Sequence, residues 1–328
     1  MTGWPIVGHE WATELLGNAV RSGRVSHAYL FLGPDGVGKS TLAAAFARAL
    51  VCERGDGAPC GECPPCRRTM DGRFPDVQII SAEKNFIQID QVRRLQSDSA
   101  IAPLEGRRKV FVIREIERAT APAANALLKT LEEPPPQVVL LLTSNRRDLV
   151  LPTVLSRCQI VGLRVLALRV VQDALVRRWD VPEEQAALLA RLSGGRLGWA
   201  VAAATDTAAW QARAKYLDDL PALTAQGQFE RLNYAEALSR AGDGVETALG
   251  LWATWWRDLL LVQVGQADAL LNIDRKAQVM QQAALYRPEQ VQGALNDLVQ
   301  TLHRLRSNVN ARLALDVLLL RLPRPAVT

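Results

Sequence analysis

A glycine-rich loop lies between a short apolar run and a helical pattern near the amino terminus. The apolar run is Ala28–Leu32, the loop has the pattern G-x-x-x-x-G-K-[ST], and the helix is predicted over residues 41–51. In this context glycines turn backbone N–H groups toward phosphate oxygens, the lysine neutralises the outer phosphates, and the hydroxyl faces magnesium. The sequence therefore predicts a triphosphate-binding loop. Its predicted contact residues are Gly33, Pro34, Asp35, Gly36, Val37, Gly38, Lys39, Ser40 and Thr41.

Strand and helix patterns alternate through the first half of the chain. Helical patterns are predicted over residues 10–21, 41–51 and 122–132, and prolines at 134–136 end the last of them. Short apolar runs predict buried strands over residues 28–32, 77–80, 110–113, 138–143 and 159–161. This alternation is typical of a doubly wound α/β domain with a parallel sheet.

The strand signal ends after about Leu163. Three helices are predicted over residues 164–179, 182–192 and 197–204, which would form a small three-helix unit. From residue 206 onward the chain is rich in alanine and leucine and is predicted to be helical throughout. Breaks are expected near Pro221, residues 242–244, Gly265 and Pro288.

The strand predicted over residues 110–113 runs into Arg114 and Glu115. A P-loop ATPase normally holds magnesium at this place with an aspartate, and a cation there disfavours the metal. Glu115 keeps a carboxylate that can orient water, so we regard the pair as a degenerate metal-binding motif. We expect the chain to bind ATP or ADP and to hold Mg²⁺ poorly. By itself it should hydrolyse almost no ATP. The alternative is that Glu115 or Glu117 takes the metal role.

Four of the five cysteines lie within fifteen residues. Cys52, Cys60, Cys63 and Cys66 form C-x7-C-x2-C-x2-C, and close pairs of this kind suit a tetrahedral zinc ion. Four thiolates leave no open position, so the predicted site is structural. Free thiols and iron–sulfur ligation are the alternatives. The remaining cysteine, Cys158, is expected to be a buried small apolar residue.

The net charge of +5 permits contact with nucleic acid, although most chains with this balance only have solvated charged faces. The first residues lack a secretory pattern, and no apolar stretch reaches the length of a membrane span. We therefore expect a cytoplasmic protein with no membrane partner.

Together these motifs resemble the AAA+ subunits of the bacterial replicative clamp loader. The similarity spans roughly residues 5–205. Besides the P-loop and the cysteines, it rests on several closely spaced motifs. They are Val7-Gly8-His9, the run HAYLFL at 27–32, the run AANALLKTLEEPP at 123–135, Thr143-Ser144-Asn145 and Ser156-Arg157-Cys158. The resemblance implies an AAA+ RecA-like domain at 1–164 with a zinc module at 52–66, a three-helix lid at 165–205 and an α-helical collar at 206–328.

The resemblance also implies roles for single residues. In this family the Ser-Arg-Cys motif supplies an arginine finger to the ATP site of the neighbouring subunit, a role that falls on Arg157. Val7 and Gly8 would line the base pocket, and Thr143 and Asn145 would sense phosphate at a strand end. The second sensor of the family reads Gly-Ser-x-Arg, whereas Arg196 stands one place early here.

Within that family, Arg114 and the chain length favour a stator over a hydrolysing gamma/tau-like motor. The implied partners are gamma/tau motor subunits and the clamp-opening delta subunit, with the sliding clamp reached indirectly and primer-template DNA through the assembled ring. The ring belongs to the replicative polymerase holoenzyme, a nucleotidyltransferase. A motor subunit and a stand-alone P-loop ATPase or kinase remain alternatives. A nucleic-acid-reading cysteine module is a further one, although Phe74 is the single aromatic residue near it.

Overall fold

The computed structural model describes residues 3–83, 85–242, 244–306 and 309–326. The chain divides into two compact units. The first runs to Val181 and also contains Ser193–Val201, and the second contains Pro182–Leu192 and the chain from Ala202 onward. The three predicted helices after Leu163 are thus shared between the two units.

The first unit is built on a five-stranded sheet in which all neighbouring strands are parallel. The strand order is β2-β3-β4-β1-β5. The predicted α/β class with a parallel sheet is confirmed, and each predicted strand is present to within a residue at either end. The strands are β1 (Ala28–Leu32), β2 (Val77–Ile80), β3 (Lys109–Ile113), β4 (Val138–Ser144) and β5 (Gln159–Gly162).

Helices cover both faces of this sheet, which is why its three central strands, β1, β3 and β4, are buried along their whole length. On one face of the sheet Tyr29, Phe31 and Val112 pack with Phe46 in one apolar cluster. On the other face Leu30 belongs to a second apolar cluster. The helices are α1 (Glu10–Ser22), α2 (Lys39–Val51), α3 (Pro64–Met70), α4 (Ile89–Ser99), α5 (Ala121–Glu132), α6 (Pro152–Leu155) and α7 (Leu168–Trp179).

Helix α4 connects β2 to β3 and was not predicted. It is a polar helix in which Val92 and Leu95 supply the buried apolar contacts, so only a few apolar residues mark its helical spacing. A reciprocal capping box between Gln88 and Gln91 begins it.

The second unit is all α-helical, as predicted. Trp252, Trp255 and Trp256 lie fully buried, so this aromatic cluster is part of the core of the second unit. Helix α9 contributes residues to both units. The helices from the end of α7 onward are α8 (Glu183–Ser193), α9 (Leu197–Thr205), α10 (Thr207–Ala225), α11 (Gln228–Ser239), α12 (Gly244–Gln263), α13 (Lys276–Ala283), α14 (Pro288–Arg306) and α15 (Ala311–Arg321).

The expected break at Pro221 is wrong, because α10 continues through that residue. Proline removes one helical hydrogen bond, yet Leu217, Leu220 and Leu223 around it are buried in the unit's core. Packing of these leucines outweighs the local cost. The breaks near Gly265 and Pro288 are present, with α14 starting at the proline itself. A break also separates α11 from α12, although Asp243 lies outside the described residues.

Candidate functional site

The P-loop occupies the carboxyl edge of the sheet, between β1 and α2. Gly33 must be glycine because a Cβ there would stand 2.4 Å from the Leu163 carbonyl oxygen. Gly38 adopts a φ of 102° immediately before α2, and no side chain caps that helix. Its first N–H groups and the positive end of its dipole are therefore directed at the loop, as phosphate binding requires.

Lys39 is a buried lysine at the start of α2. Its Nζ donates to the Pro34 carbonyl oxygen at 2.7 Å, across the mouth of the loop. Burial lowers the pKa of Lys39, and the negative charges of Asp35, Glu117 and Glu115 oppose that shift. Two of these carboxylates, Glu115 and Glu117, follow β3, so the end of β3 acts electrostatically on the P-loop lysine.

Arg114 follows β3, and its side chain is exposed. The next residue, Glu115, has a left-handed backbone with φ of 52°, and its N–H donates to Thr143 Oγ1 at 3.0 Å. Asn145 Nδ2 donates to Glu115 Oε1 at 3.3 Å, and the Asn145 N–H donates to Glu117 Oε1 at 2.9 Å. The predicted sensor residues at the end of β4 are thus joined to the degenerate metal motif at the end of β3.

Glu117 carries a feature that sequence reasoning did not resolve. Its Oε2 is buried and has no hydrogen-bond partner among the described residues, whereas Glu115 Oε2 pairs with Arg118 Nε at 2.9 Å. A carboxylate oxygen left bare beside the P-loop lysine is chemically suited to a cation or a water. The site therefore retains negative charge despite Arg114.

The predicted base pocket begins with Val7 and Gly8. The Gly8 N–H donates to Glu10 Oε1 at 3.1 Å, and a Cβ at Gly8 would clash with the Leu166 side chain. His9 is buried, and burial lowers its pKa against the opposing effects of the Val37 backbone and Glu10. The segment 7–9 therefore packs against the P-loop, and His9 is a site residue to which the sequence analysis gave no role.

The segment with the displaced sensor arginine also lies on the P-loop. The Gly198 N–H donates to the Gly36 carbonyl oxygen at 2.7 Å. Arg196 Nε donates to the Ser193 carbonyl oxygen at 2.7 Å, and its guanidinium stacks 5.8 Å from the Trp199 ring centre. Arg196 therefore lies in a segment that contacts the P-loop. Its guanidinium, one position earlier than the family motif has it, contacts residues of its own segment.

Arg157 lies away from this site. It precedes β5, whose first residue pairs with Tyr29 in β1, so it stands at the amino edge of the sheet while the P-loop stands at the carboxyl edge. Its Nη2 forms an ion pair with Glu132 Oε1 at 2.7 Å, and Nη1 donates to the Thr153 carbonyl oxygen at 3.0 Å. The guanidinium is partly exposed and held in place by these contacts.

The four cysteines of the predicted metal site come together between α2 and α3. Their sulfur atoms all lie within 4.8 Å of one another. A tetrahedral ion with bonds of about 2.3 Å places its sulfurs roughly 3.8 Å apart, and the Cys60 and Cys66 sulfurs are separated by 3.9 Å. The cluster is therefore sized for a single metal ion.

Local backbone groups prepare one of these thiols for a metal. Cys60 Sγ accepts the N–H groups of Cys63 at 3.3 Å and Glu62 at 3.4 Å. These bonds, of which the Cys63 N–H has the larger effect, lower the pKa of Cys60 to about 6. A thiolate at neutral pH is the form that binds metal.

The parallel sheet, the P-loop and the strand-end network define an AAA+ P-loop protein with a cluster of four cysteines that could hold a metal ion. Two family profiles match the chain: "DNA polymerase III, delta subunit" over residues 8–167, and "DNA polymerase III, delta subunit, C terminal" over residues 207–324. The chain belongs to the delta-prime family of DNA polymerase III clamp-loader subunits.

Individual proteins are similar to this chain in sequence or in structure. The DNA polymerase III delta-prime subunit of Bacillus subtilis is 29% identical over 94% of both chains. The tau subunit of Escherichia coli is 38% identical over 58% of this chain, which spans 31% of the tau length. A gamma-subunit-related protein of Thermotoga maritima is a structural neighbour, with 20% identity, a TM-score of 0.48 and coverage of 94% of this chain and 97% of its own. Within the described part of the chain, no helix has the length and apolar character needed to cross a membrane.

Proposed function

We propose that this chain is the stator of a clamp-loader ring: it binds nucleotide without hydrolysing it and lends Arg157 to a neighbouring motor subunit. The observation that carries the proposal is the pairing of a complete P-loop with Arg114 at the end of β3. The loop keeps every group needed to hold phosphates, whereas the position next to the metal carries positive charge.

The nucleotide pocket is fitted for a triphosphate or diphosphate. Gly33, Gly36 and Gly38 keep the loop backbone accessible, and Lys39 is poised over it. The Ser40 hydroxyl would be the remaining metal ligand from the loop, and Mg²⁺ would supply charge neutralisation there if it were bound. Arg114 would oppose that binding because it places a like charge at the end of β3, where an aspartate would attract the metal.

The arginine finger acts on a different subunit. Arg157 stands at the opposite edge of the sheet from its own P-loop, so it is not placed to serve that nucleotide. A partly exposed guanidinium on an edge is suited to reach a phosphate across a subunit boundary, where its planar fork stabilises developing negative charge. Glu132 holds it in one orientation until that boundary forms.

Family membership supports partners of the same machine. The ring would contain gamma/tau-like motor subunits and a delta-type subunit, and it would act on the sliding clamp and on primer-template DNA as an assembly. Residues 206–328 would form the oligomerising collar, the segment 165–205 the lid and residues 1–164 the nucleotide-binding domain. We assign the cysteine cluster to zinc, because four thiolates around one small space satisfy a tetrahedral ion and leave no position for substrate.

A second function, slow hydrolysis with an alternative metal ligand, is favoured by one observation. Glu117 Oε2 is buried without a partner near Lys39, where it could take the place of the missing aspartate. Such a site would make the chain a weak motor.

Exchanging Arg114 for aspartate separates these two functions. We expect the Arg114→Asp protein to bind fluorescent ADP at least about tenfold more tightly with Mg²⁺ than with EDTA, because a carboxylate would replace the positive charge that opposes the metal. A tenfold change in affinity corresponds to about 1.4 kcal/mol. The unaltered protein should show little Mg²⁺ dependence. Arg94→Asp is the matched control, since it makes the same charge change on the exposed face of α4. Strong Mg²⁺ dependence in the unaltered protein would favour the Glu117 alternative.

A further inference from the structure

A cavity of about 580 Å³ opens at the amino edge of the sheet, on the side away from the P-loop. Its walls come from the ends of α1 and α2 and from the segments that lead into β1, β3 and β4. Arg21, Arg107 and Arg108 line it, and its lining contains no aspartate or glutamate. The cavity is thus strongly cationic.

None of the three guanidiniums pairs with a carboxylate, as far as the described residues extend. Arg21 donates to the Asp56 carbonyl oxygen at 3.3 Å and to Asn18 Oδ1 at 2.5 Å. Arg108 makes one long bond of 3.4 Å to the Gly23 carbonyl oxygen. Arg107 is exposed and has no recorded hydrogen bond or ion pair in the described structure. Most of their N–H donors remain available.

A second cavity of about 530 Å³ adjoins the first and shares Arg21 and Ser22 with it. It adds Arg24, whose guanidinium also lacks a carboxylate partner among the residues the structure covers. The cationic surface therefore extends over both cavities, so it could contact a ligand that carries more than one anionic group.

The loop that carries Arg107 and Arg108 is fixed from inside the protein. Asp76 is fully buried, and its carboxylate accepts the N–H groups of Leu104, Glu105 and Gly106 at 2.7–2.8 Å. Burial alone would raise the pKa of Asp76, but these three bonds and the nearby Lys109 hold it below its ordinary value. A buried charge that orders a loop immediately before two arginines preorganises their backbone, which lowers the entropy cost of binding.

We propose that this arginine cavity binds phosphate groups and is a second anion site, independent of the P-loop and of the stator role. Guanidinium forks match phosphate oxygens in geometry and charge, and the cavity volume exceeds that of one phosphate. The phosphate can belong to a DNA backbone or to a small pyrophosphate-containing molecule, since both present the same oxygens.

The test uses the full-length chain in a Lys39→Ala background, which silences the P-loop. Pyrophosphate binding is measured by calorimetry, and binding of a short fluorescein-labelled DNA duplex by anisotropy over a series of salt concentrations. The double variant Arg107→Gln/Arg108→Gln is compared with Arg177→Gln/Arg178→Gln, which removes the same charge from exposed positions at the end of α7. Thermal unfolding of each variant confirms that it is folded.

We expect the Arg107→Gln/Arg108→Gln change, and not its control, to weaken binding by about tenfold or more in one arm. If DNA is the ligand, the slope of log affinity against log salt should also fall by about one for each lost phosphate contact. Loss confined to pyrophosphate identifies a small ligand, and loss in the DNA arm identifies the backbone. Equal affinities for the variant and its control in both arms would overturn the proposal.

Discussion

Replacing Arg157 by alanine is expected to remove most of the DNA-stimulated ATP hydrolysis at the neighbouring motor site of a reconstituted clamp loader. An arginine finger contributes about 10³-fold or more to kcat at the site it serves. The measurement is steady-state ATPase of the complex assembled from motor, delta-type and variant subunits. Size-exclusion chromatography should show that the ring still assembles, because Arg157 is a partly exposed residue outside both cores.

Two matched variants sharpen this result. Arg157→Lys keeps the charge but loses the planar fork, so activity should recover only in part. Glu132→Gln breaks the ion pair that holds Arg157 in the free subunit but leaves the guanidinium itself, so the ring should keep most of its activity. Full activity of the Arg157→Ala ring would exclude the finger role.

Removing one sulfur from the cysteine cluster is expected to release the metal and destabilise the first unit. Cys66 is fully buried among the other thiols, so Cys66→Ser leaves a ligand set that cannot close around zinc. We expect loss of one zinc per chain, measured by mass spectrometry, and a fall in Tm of at least about 5 °C in calorimetry.

The fifth cysteine provides the control for that experiment. Cys158 lies outside the cluster and is half-buried rather than fully buried as expected, and its burial raises the pKa of its thiol to about 12. Cys158→Ala should keep the zinc. Stoichiometric iron in the unaltered protein, or unchanged metal content in Cys66→Ser, would contradict the zinc assignment.

Much of the first unit's fold could be predicted from sequence because its three central strands are buried on both faces. Runs such as Ala28–Leu32 are continuously apolar and are bounded by turn residues, so their type and limits are visible locally. Helix α4 escaped prediction because its exposed face dominates its composition. The break expected at Pro221 was wrong because the leucines beside it in α10 are buried in the unit's core, and that burial depends on distant segments that sequence alone does not reveal.

The same distinction applies to the candidate site. The P-loop and the cysteine cluster are contiguous motifs, so their residues could be named in advance, and the structure places each set together. Contacts between distant segments could not be predicted from the sequence. Examples are the Arg157–Glu132 ion pair and the hydrogen bond from the Gly198 N–H to the Gly36 carbonyl oxygen. The effect of Glu117 on Lys39 also depends on the backbone after β3. Glu115 adopts a left-handed conformation there, which no sequence pattern predicted.

ATP hydrolysis by the purified chain tests the central claim most directly. Radiolabelled ATP is mixed with excess protein and Mg²⁺ under single-turnover conditions, and nucleotide binding is measured in parallel on the same preparation. The stator account predicts bound ATP that is recovered uncleaved, because Arg114 opposes the metal and no neighbouring finger is present. Rapid Mg²⁺-dependent release of phosphate by the isolated chain would contradict it.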